Sequence, residues 1–162
     1  MSIIRLSGKL TPQKVCSFKD SVSDLKTILE KELHLRIKSD GGNLKVFSDI
    51  SKILFDISKK RIRVIGEAET AGSTAMLIFL NCTDRLVTPA SYGYIHLPEP
   101  NTKVSEELHE KKKNDVVAFI KRRTHLSEET IISLDNIPLT ANDMLRYHIA
   151  TQKVPNFYST EL

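Results

Sequence analysis

The sequence predicts an α/β fold with a largely parallel sheet, and three features lead to this class. Short segments in which apolar and polar residues alternate, such as residues 33–37, are followed by longer segments whose apolar residues recur every three or four positions. These segments succeed one another through the first half of the chain as strand, helix, strand, helix, strand, helix. A continuous apolar block at residues 75–80 is typical of a helix that is buried on all sides. This order calls for right-handed crossovers between parallel strands of one sheet.

The first strand and helix are predicted near the N-terminus. Apolar residues at positions 3, 4 and 6 indicate a short strand that ends before Gly8. A helix is predicted to start at Thr11-Pro12, because proline is tolerated in the first helical turn. The apolar positions of this helix are Val15, Phe18, Val22, Leu25 and Leu29.

The second strand and helix follow directly. Residues 33–37 alternate as a half-buried strand does, and the strand ends in the turn residues 39–42. The basic pair at residues 59–60 closes the helix that follows. Its apolar positions, which face one way, are Val46, Phe47, Ile50, Ile53, Leu54 and Ile57.

The central segment, residues 61–80, predicts a strand, a tight turn and a buried helix. The strand is expected to end at Gly66, which places the hydroxyl of Thr70 at the turn. The first amides of a helix have no intrahelical acceptor, so an anion or a developing oxyanion is favoured there. From the residues alone, the preferred interpretation of Thr70 is the N-cap of a core helix. Ser73 is a second candidate nucleophile, although a hydroxyl inside a helix more often bonds to its own backbone.

The second half of the chain predicts two further strands and a long polar helix. One strand covers residues 84–89 and stops at its proline, and the next covers residues 92–96 and ends at His96. A long helix from about residue 102 carries a narrow apolar stripe, which we expect at a subunit interface because a projecting stripe must be buried. The residues of the stripe are Leu108, Val116, Phe119 and Ile120.

Two shorter helices complete the predicted elements. Residues 126–129 form a capping pattern that opens a short helix, and residues 135–138 form a loop. The last helix begins after Thr140, which is predicted to be its N-cap. We assign residues 1–150 to a single domain and residues 151–162 to a C-terminal tail without a regular pattern.

Composition excludes several classes of protein. The chain has 162 residues, of which 40% are hydrophobic and 27% charged, which is enough for one domain with its own core. The N-terminus has no leader pattern and no apolar block is long enough to span a bilayer, so we predict a cytoplasmic protein without membrane contact. The net charge of +4 is not accompanied by interleaved aromatic residues, which argues against nucleic acid. Cys16 and Cys82 have no zinc-ligand spacing, so we expect reduced core thiols, no metal and no cofactor.

Several segments together resemble the proteolytic subunit of the Clp protease, ClpP, and its crotonase-fold relatives. The resemblance covers about residues 2–150 and rests on the order and spacing of the segments rather than on one motif. The segments are residues 3–10, Ser39-Asp40-Gly41-Gly42, Gly66-Glu67-Ala68-Glu69-Thr70-Ala71-Gly72, Ile95-His96-Leu97-Pro98 and Leu139-Thr140-Ala141. The resemblance implies a ClpP/crotonase-like spiral of β-α units with a mostly parallel sheet and a projecting helix.

The resemblance also implies a serine-type triad with an oxyanion hole. Thr70 falls on the nucleophile and His96 on the general base. Gly42 and Ala71 fall on the two backbone donors of the oxyanion hole, which typically contribute roughly 3 to 4 kcal/mol each to transition-state stabilisation.

The triad acid of the family falls on Asn136, with Asp135 one residue away. Two departures from the family pattern stand out: threonine replaces serine at position 70, and the acid is an amide or is displaced by one residue. The added methyl of threonine restricts χ1 and crowds the attacking oxygen. An amide orients an imidazole but stabilises the imidazolium less than a carboxylate does.

Three functional hypotheses remain open at this point. The first is a ClpP-like peptidase that hydrolyses peptide bonds through an acyl-enzyme, with a peptide substrate, a homo-oligomeric assembly and an AAA+ ATPase as partner. The second is a catalytically inactive subunit of the same fold that acts as an assembly or regulatory scaffold. The third is acyl-CoA chemistry on the related crotonase fold, for which the chain is short and an acid pair is lacking.

Overall fold

The structure is a computed structural model that describes residues 2–25 and 31–157. Its strands are β1 (Ser2–Ser7), β2 (Glu32–Ser39), β3 (Arg63–Gly72), β4 (Asp84–Tyr94), β5 (Leu139–Thr140) and β6 (Gln152–Lys153). Its helices are α1 (Pro12–Leu25), α2 (Leu44–Lys59), α3 (Thr74–Leu80), α4 (Glu106–Arg123), α5 (Glu128–Ser133) and α6 (Ala141–Arg146). Strands β1 to β4 are parallel neighbours in chain order, β5 pairs antiparallel with β4, and β6 pairs parallel with β4. The predicted α/β class with a mostly parallel sheet is confirmed.

Helices α2 and α3 form the core against the sheet. Helix α2 buries one face, and every residue of α3 is buried, as its uninterrupted apolar sequence predicted. In α1, Phe18 and Val22 are buried and Val15 is partly buried against the core, whereas Leu29 of the predicted stripe lies outside the described residues. The buried residues of α2 are Val46, Ile50, Leu54 and Ile57.

Strand β3 runs further than predicted. The expected turn at Gly66 is wrong, because Gly66 is a strand residue buried under the end of α3. A Cβ at this position would approach Cys82 Sγ to 2.9 Å and Phe79 Cδ2 to 3.0 Å. Glycine is therefore required there for close packing of strand and helix, not for a turn.

Strand β4 is one strand where two were predicted. It passes through Pro89, which lies in a stretch, residues 88–91, that interrupts the ladder with β3. A proline is tolerated at such an irregularity because no ladder hydrogen bond is required of its nitrogen. The hydroxyl of Ser91 replaces ladder hydrogen bonds in this stretch. It donates to Ala68 O at 2.5 Å and accepts from the Thr88 amide at 2.8 Å.

Helix α4 does not project its apolar stripe as predicted. Val116 and Ile120 are buried in the chain's own core, and Phe119 packs on Phe47 with ring centroids 5.1 Å apart. The reason is that α4 packs against α3 and α5 of the same chain. Leu108, in the first turns of the helix, remains 44% exposed.

The caps of α5 and α6 are as predicted. Ser127 Oγ accepts from the Thr130 amide at the start of α5. Thr140 and Asp143 form a reciprocal capping box at the start of α6, with N···O distances of 3.0 and 3.2 Å. The predicted tail contains a regular element after all, since β6 adds to the edge of β4. Residues 158–162 of that tail lie outside the described residues.

The two cysteines differ from each other. Cys82 is fully buried, and this burial raises the pKa of its thiol to about 12, so it is an inert core residue. Cys16 is exposed, so its prediction as a core thiol is wrong. Within residues 2–25 and 31–157, no helix is long and apolar enough to cross a membrane.

Candidate active site

A strained serine joins β3 to α3. Strand β3 ends at Gly72, α3 begins at Thr74, and Ser73 between them has φ 54° and ψ −122°. Residues other than glycine rarely occupy this backbone region, and where they do the strain commonly marks a functional site. The Ser73 amide donates to Tyr94 O at 3.1 Å, and its side chain does not cap the helix. A serine on a sharp strand-to-helix turn with a hydroxyl not engaged in capping has the geometry of a nucleophile elbow.

Glycines on two sides make room for this turn. A Cβ on Gly72 would lie 2.3 Å from the ring of Tyr94, and a Cβ on Gly41 would lie 2.8 Å from Ser73 Cβ. The hydroxyl of Tyr94 in turn donates to Asp40 O at 3.0 Å, which ties the ends of β2 and β4 together. The small residues around the turn are therefore needed for the close approach of three chain segments.

Thr70 and Ala71 lie inside β3 rather than at the turn, so their predicted placement is wrong. Both pair with residues of β2 on one side and of β4 on the other. Ala71 is fully buried in this double ladder, where interior strands use their amides for pairing. Thr70 is half-buried and lines a cavity of about 610 Å³ together with Gly41 and Tyr92. The strand continues past Thr70 because the chain turns only where Ser73 adopts a positive φ.

His96 follows the end of β4 by two residues. Its Nδ1 lies 2.6 Å from Asn136 Oδ1. An amide oxygen only accepts hydrogen bonds, so His96 carries its hydrogen on Nδ1 and presents Nε2 as a base. The imidazole is 31% exposed, and the carboxylate of Glu99 lies 3.7 Å from Nε2.

The two neighbouring candidates for the triad acid have separate contacts. Asn136 faces the imidazole, and its backbone, at φ 61°, donates from the amide to Ile95 O at 2.7 Å. Asp135 Oδ1 accepts from the Leu97 amide at 2.8 Å and lies 3.8 Å from His96 Nδ1. Asn136 is thus the orienting partner in this structure, while Asp135 fixes the chain that follows His96.

Gly42 is held beside the first turn of α3. Its carbonyl accepts from Thr74 Oγ1 at 3.0 Å, and it pairs with Leu10 in an isolated parallel bridge. A Cβ on Gly42 would lie 2.1 Å from Leu10 O, so only glycine fits. The Thr74 amide is the first of α3 and has no acceptor within the helix. The Thr74 amide and the backbone of Gly42 therefore both border the Ser73 turn.

These features define an α/β protein with a candidate hydrolase site at the carboxyl ends of its parallel strands. Solved structures make the fold specific: ClpP1 from Listeria monocytogenes superposes with a TM-score of 0.85 at 18% identity, over 96% of this chain and 92% of that chain. The N165D mutant of ClpP1 from Listeria monocytogenes superposes with a TM-score of 0.84 at 18% identity, over 95% of this chain and 91% of that chain. The chain has the ClpP fold, in agreement with the resemblance seen in the sequence. No family model matches the chain, and no curated protein matches it in sequence.

Sequence reasoning gave Ser73 only a secondary place. The resemblance to the ClpP family placed Thr70, and not Ser73, on the nucleophile position. The signal that favours Ser73 is local: Gly72 directly before it, and the start of the uninterrupted apolar block directly after Thr74. Together they mark where a strand ends and a buried helix begins.

Proposed function

We propose that this protein is a ClpP-type serine hydrolase that cleaves peptide bonds through an acyl-enzyme on Ser73. The observation that carries the proposal is the strained Ser73 turn between β3 and α3. The contact between His96 and Asn136 at the end of the neighbouring strand supports it. Thr70, inside β3, takes no covalent part in this proposal.

The proposed reaction uses only groups of this chain. Ser73 Oγ attacks the substrate carbonyl while His96 Nε2 accepts its proton, and Asn136 holds the imidazole from the other side. The amides of Gly42 and Thr74 donate to the oxyanion of the tetrahedral intermediate, which is stabilised by roughly 3 to 4 kcal/mol per donor. The imidazolium then gives its proton to the leaving amine. Water, deprotonated by the same imidazole, hydrolyses the ester on Ser73 and restores the hydroxyl.

A fluorophosphonate probe with intact-mass detection tests the proposal. We expect one adduct per wild-type chain and a labelling rate that falls about a hundredfold or more in His96→Ala, since general-base assistance is typically of that size. His125→Ala is the matched control, because this histidine lines a cavity at the start of β4, whereas His96 follows the end of that strand. Wild type that is folded by circular dichroism but takes up no probe contradicts the proposal and favours the inactive scaffold.

Replacement of Asn136 by aspartate is expected to raise kcat about tenfold or more. A carboxylate at this position stabilises the imidazolium that forms when His96 takes the proton, which the amide does less well. Initial rates on a fluorogenic peptide measure the effect.

The control for this prediction is Asp135→Asn. That change retains an oxygen able to accept from the Leu97 amide, so the activity is expected to stay within about threefold of wild type. A rate that falls well below wild type in Asp135→Asn, together with no rise in Asn136→Asp, would show that Asp135 supplies the charge that the imidazole uses.

We propose further that the protein is a homo-oligomer that acts on peptides. Support comes from large apolar side chains left exposed on the single chain, among them Phe55, Leu108 and Ile132, each at least 44% exposed. Sedimentation velocity is expected to give an assembly that Leu108→Glu weakens. A monomer at all accessible concentrations overturns this part. The AAA+ ATPase partner and the cytoplasmic location stay predictions.

A further inference from the structure

A basic cavity lies at the opposite end of β4 from His96. It has a volume of about 400 Å³ and is bordered by the first residues of β4, the end of α4 and the segment after α6. Its ionisable lining consists of Arg85, Arg122, Arg123, His125 and His148, and Thr83, Thr124 and Thr151 complete it. No acidic side chain lines this cavity.

The positive charge of the cavity has no carboxylate to balance it. Among the described residues, Arg85, Arg122 and Arg123 form no ion pair within 4.0 Å. The acid next to the cavity in sequence is Asp84, whose carboxylate is bound by Arg63 with Nη2 2.8 Å from Oδ1. Three guanidinium groups therefore share this region without a counter-ion from the part of the chain that is described.

Arg85 is a buried cation whose hydrogen-bond acceptors are neutral backbone carbonyls. Its side chain is 3% exposed, and it donates to the carbonyls of Ile149 at 2.7 Å, His148 at 2.9 Å and Arg123 at 3.0 Å. Burial, and secondly the charge of Arg123, lower the pKa of Arg85 to about 10. Arg85 therefore stays protonated at neutral pH, and a buried charge without an ionic partner is costly.

The guanidinium groups of Arg122 and Arg123 have N–H donors that are available to a ligand in the cavity. Arg123 donates from Nε to Leu80 O at 2.7 Å and from Nη2 to Cys82 O at 3.0 Å, which orients the group and leaves its Nη1 hydrogens without an acceptor among the described residues. Arg122 is exposed at the rim of the cavity. A fixed guanidinium fork is well matched to the oxygens of a phosphate group.

Two stacked imidazoles complete the wall. The rings of His125 and His148 lie 4.3 Å apart at an interplanar angle of 8°. The pKa of His148 is lowered by burial and then by the charges of Arg85 and His125. An anion in the cavity would offset these positive charges.

We propose that this cavity binds a phosphate-type oxyanion, either free phosphate or the phosphate of a small phosphomonoester. The guanidinium groups of Arg122 and Arg123 contact its oxygens, Arg85 supplies buried positive charge behind them, and the imidazoles of His125 and His148 donate from one side. The site is independent of the Ser73 chemistry, because it lies at the other end of β4.

Isothermal titration of the full chain with inorganic phosphate, at ionic strength held constant with potassium chloride, tests the site. We expect saturable binding of one phosphate per chain with a dissociation constant below about 1 mM. Arg122→Glu is expected to weaken binding at least about tenfold, because it replaces a charge-assisted donor by a repelling carboxylate. Lys121→Glu is the matched control: it makes the same charge change one residue earlier in α4, outside the cavity lining, and is expected to change the affinity less than about threefold.

Two further titrations separate the sources of the ligand. Phosphoserine that binds more tightly than inorganic phosphate supports a phosphomonoester as ligand, and the reverse order supports free phosphate. The ring resonances of His125 and His148 are expected to shift on binding in wild type. No saturable heat up to about 10 mM phosphate, or equal weakening by Lys121→Glu and Arg122→Glu in chains that are folded by circular dichroism, would overturn the site.

Discussion

Ser73→Ala is expected to lower kcat for peptide hydrolysis about 10⁴-fold or more, whereas Thr70→Ala is expected to leave it within about fivefold of wild type. The reason is positional. Ser73 occupies the turn where β3 meets α3, and its hydroxyl does not cap the helix, while Thr70 lies three residues earlier inside the sheet. Initial rates on a fluorogenic peptide measure the effect. If the wild-type rate is low, the pair of variants is compared in an Asn136→Asp background.

Thr70→Ala and Ser73→Ala each remove one hydroxyl, which makes them a matched pair. Ser73→Cys adds a second comparison, because a thiol in the same turn retains a nucleophile and should react with iodoacetamide faster than the buried Cys82 does. If Thr70→Ala loses activity and Ser73→Ala retains it, the nucleophile is Thr70, inside β3. The structural argument from the turn would then be wrong.

Glu67→Ala is expected to lower the free energy of unfolding by about 3 to 5 kcal/mol, the usual cost of removing one partner of a buried ion pair. Glu67 receives Arg36 Nη2 at 2.9 Å and Nε at 3.3 Å on one carboxylate oxygen, and lies 2.7 Å from His34 Nδ1 on the other. Glu67 and Arg36 are buried between β2 and β3. Without the carboxylate, the buried Arg36 cation loses its ion pair with Glu67. Urea denaturation measures the change.

The control is an exposed ion pair in the same sheet. Arg63 is 56% exposed and binds Asp84 at the beginning of β4. Arg63→Ala is expected to cost much less than Glu67→Ala, since solvent screens exposed pairs. If the free energy of unfolding of Glu67→Ala lies within about 1 kcal/mol of the wild-type value, a structural role for the buried network is contradicted.

The sequence predicted the sheet and helices well where periodicity or capping residues decide them. Alternation at residues 33–37 gave β2, and the apolar face of α2 and the Thr140 cap of α6 were found in place. The end of β3 could not be predicted in this way. The small residues between Gly66 and Ser73 fit a strand and a turn equally well, so periodicity does not locate the end of β3, whereas the backbone angles of Ser73 do.

Two other differences have the same origin. The stripe of α4 has the spacing of a buried face, but spacing does not show whether its partner is the same chain or another, and here Val116 and Ile120 pack within the chain. The choice between Asp135 and Asn136 depends on which side chain faces His96, and in the structure it is Asn136, at φ 61°. Adjacent residues in a loop carry no periodic signal that distinguishes them.

The most direct test of the account localises the covalent adduct. Trypsin releases residues 64–85 of the fluorophosphonate-treated protein as one peptide, which contains both Thr70 and Ser73. Fragment-ion spectra distinguish the two hydroxyls through cleavages at Ala71 and Gly72. We predict that the added mass appears only in fragments that include Ser73. An adduct carried by fragments that include Thr70 but not Ser73 would contradict the account.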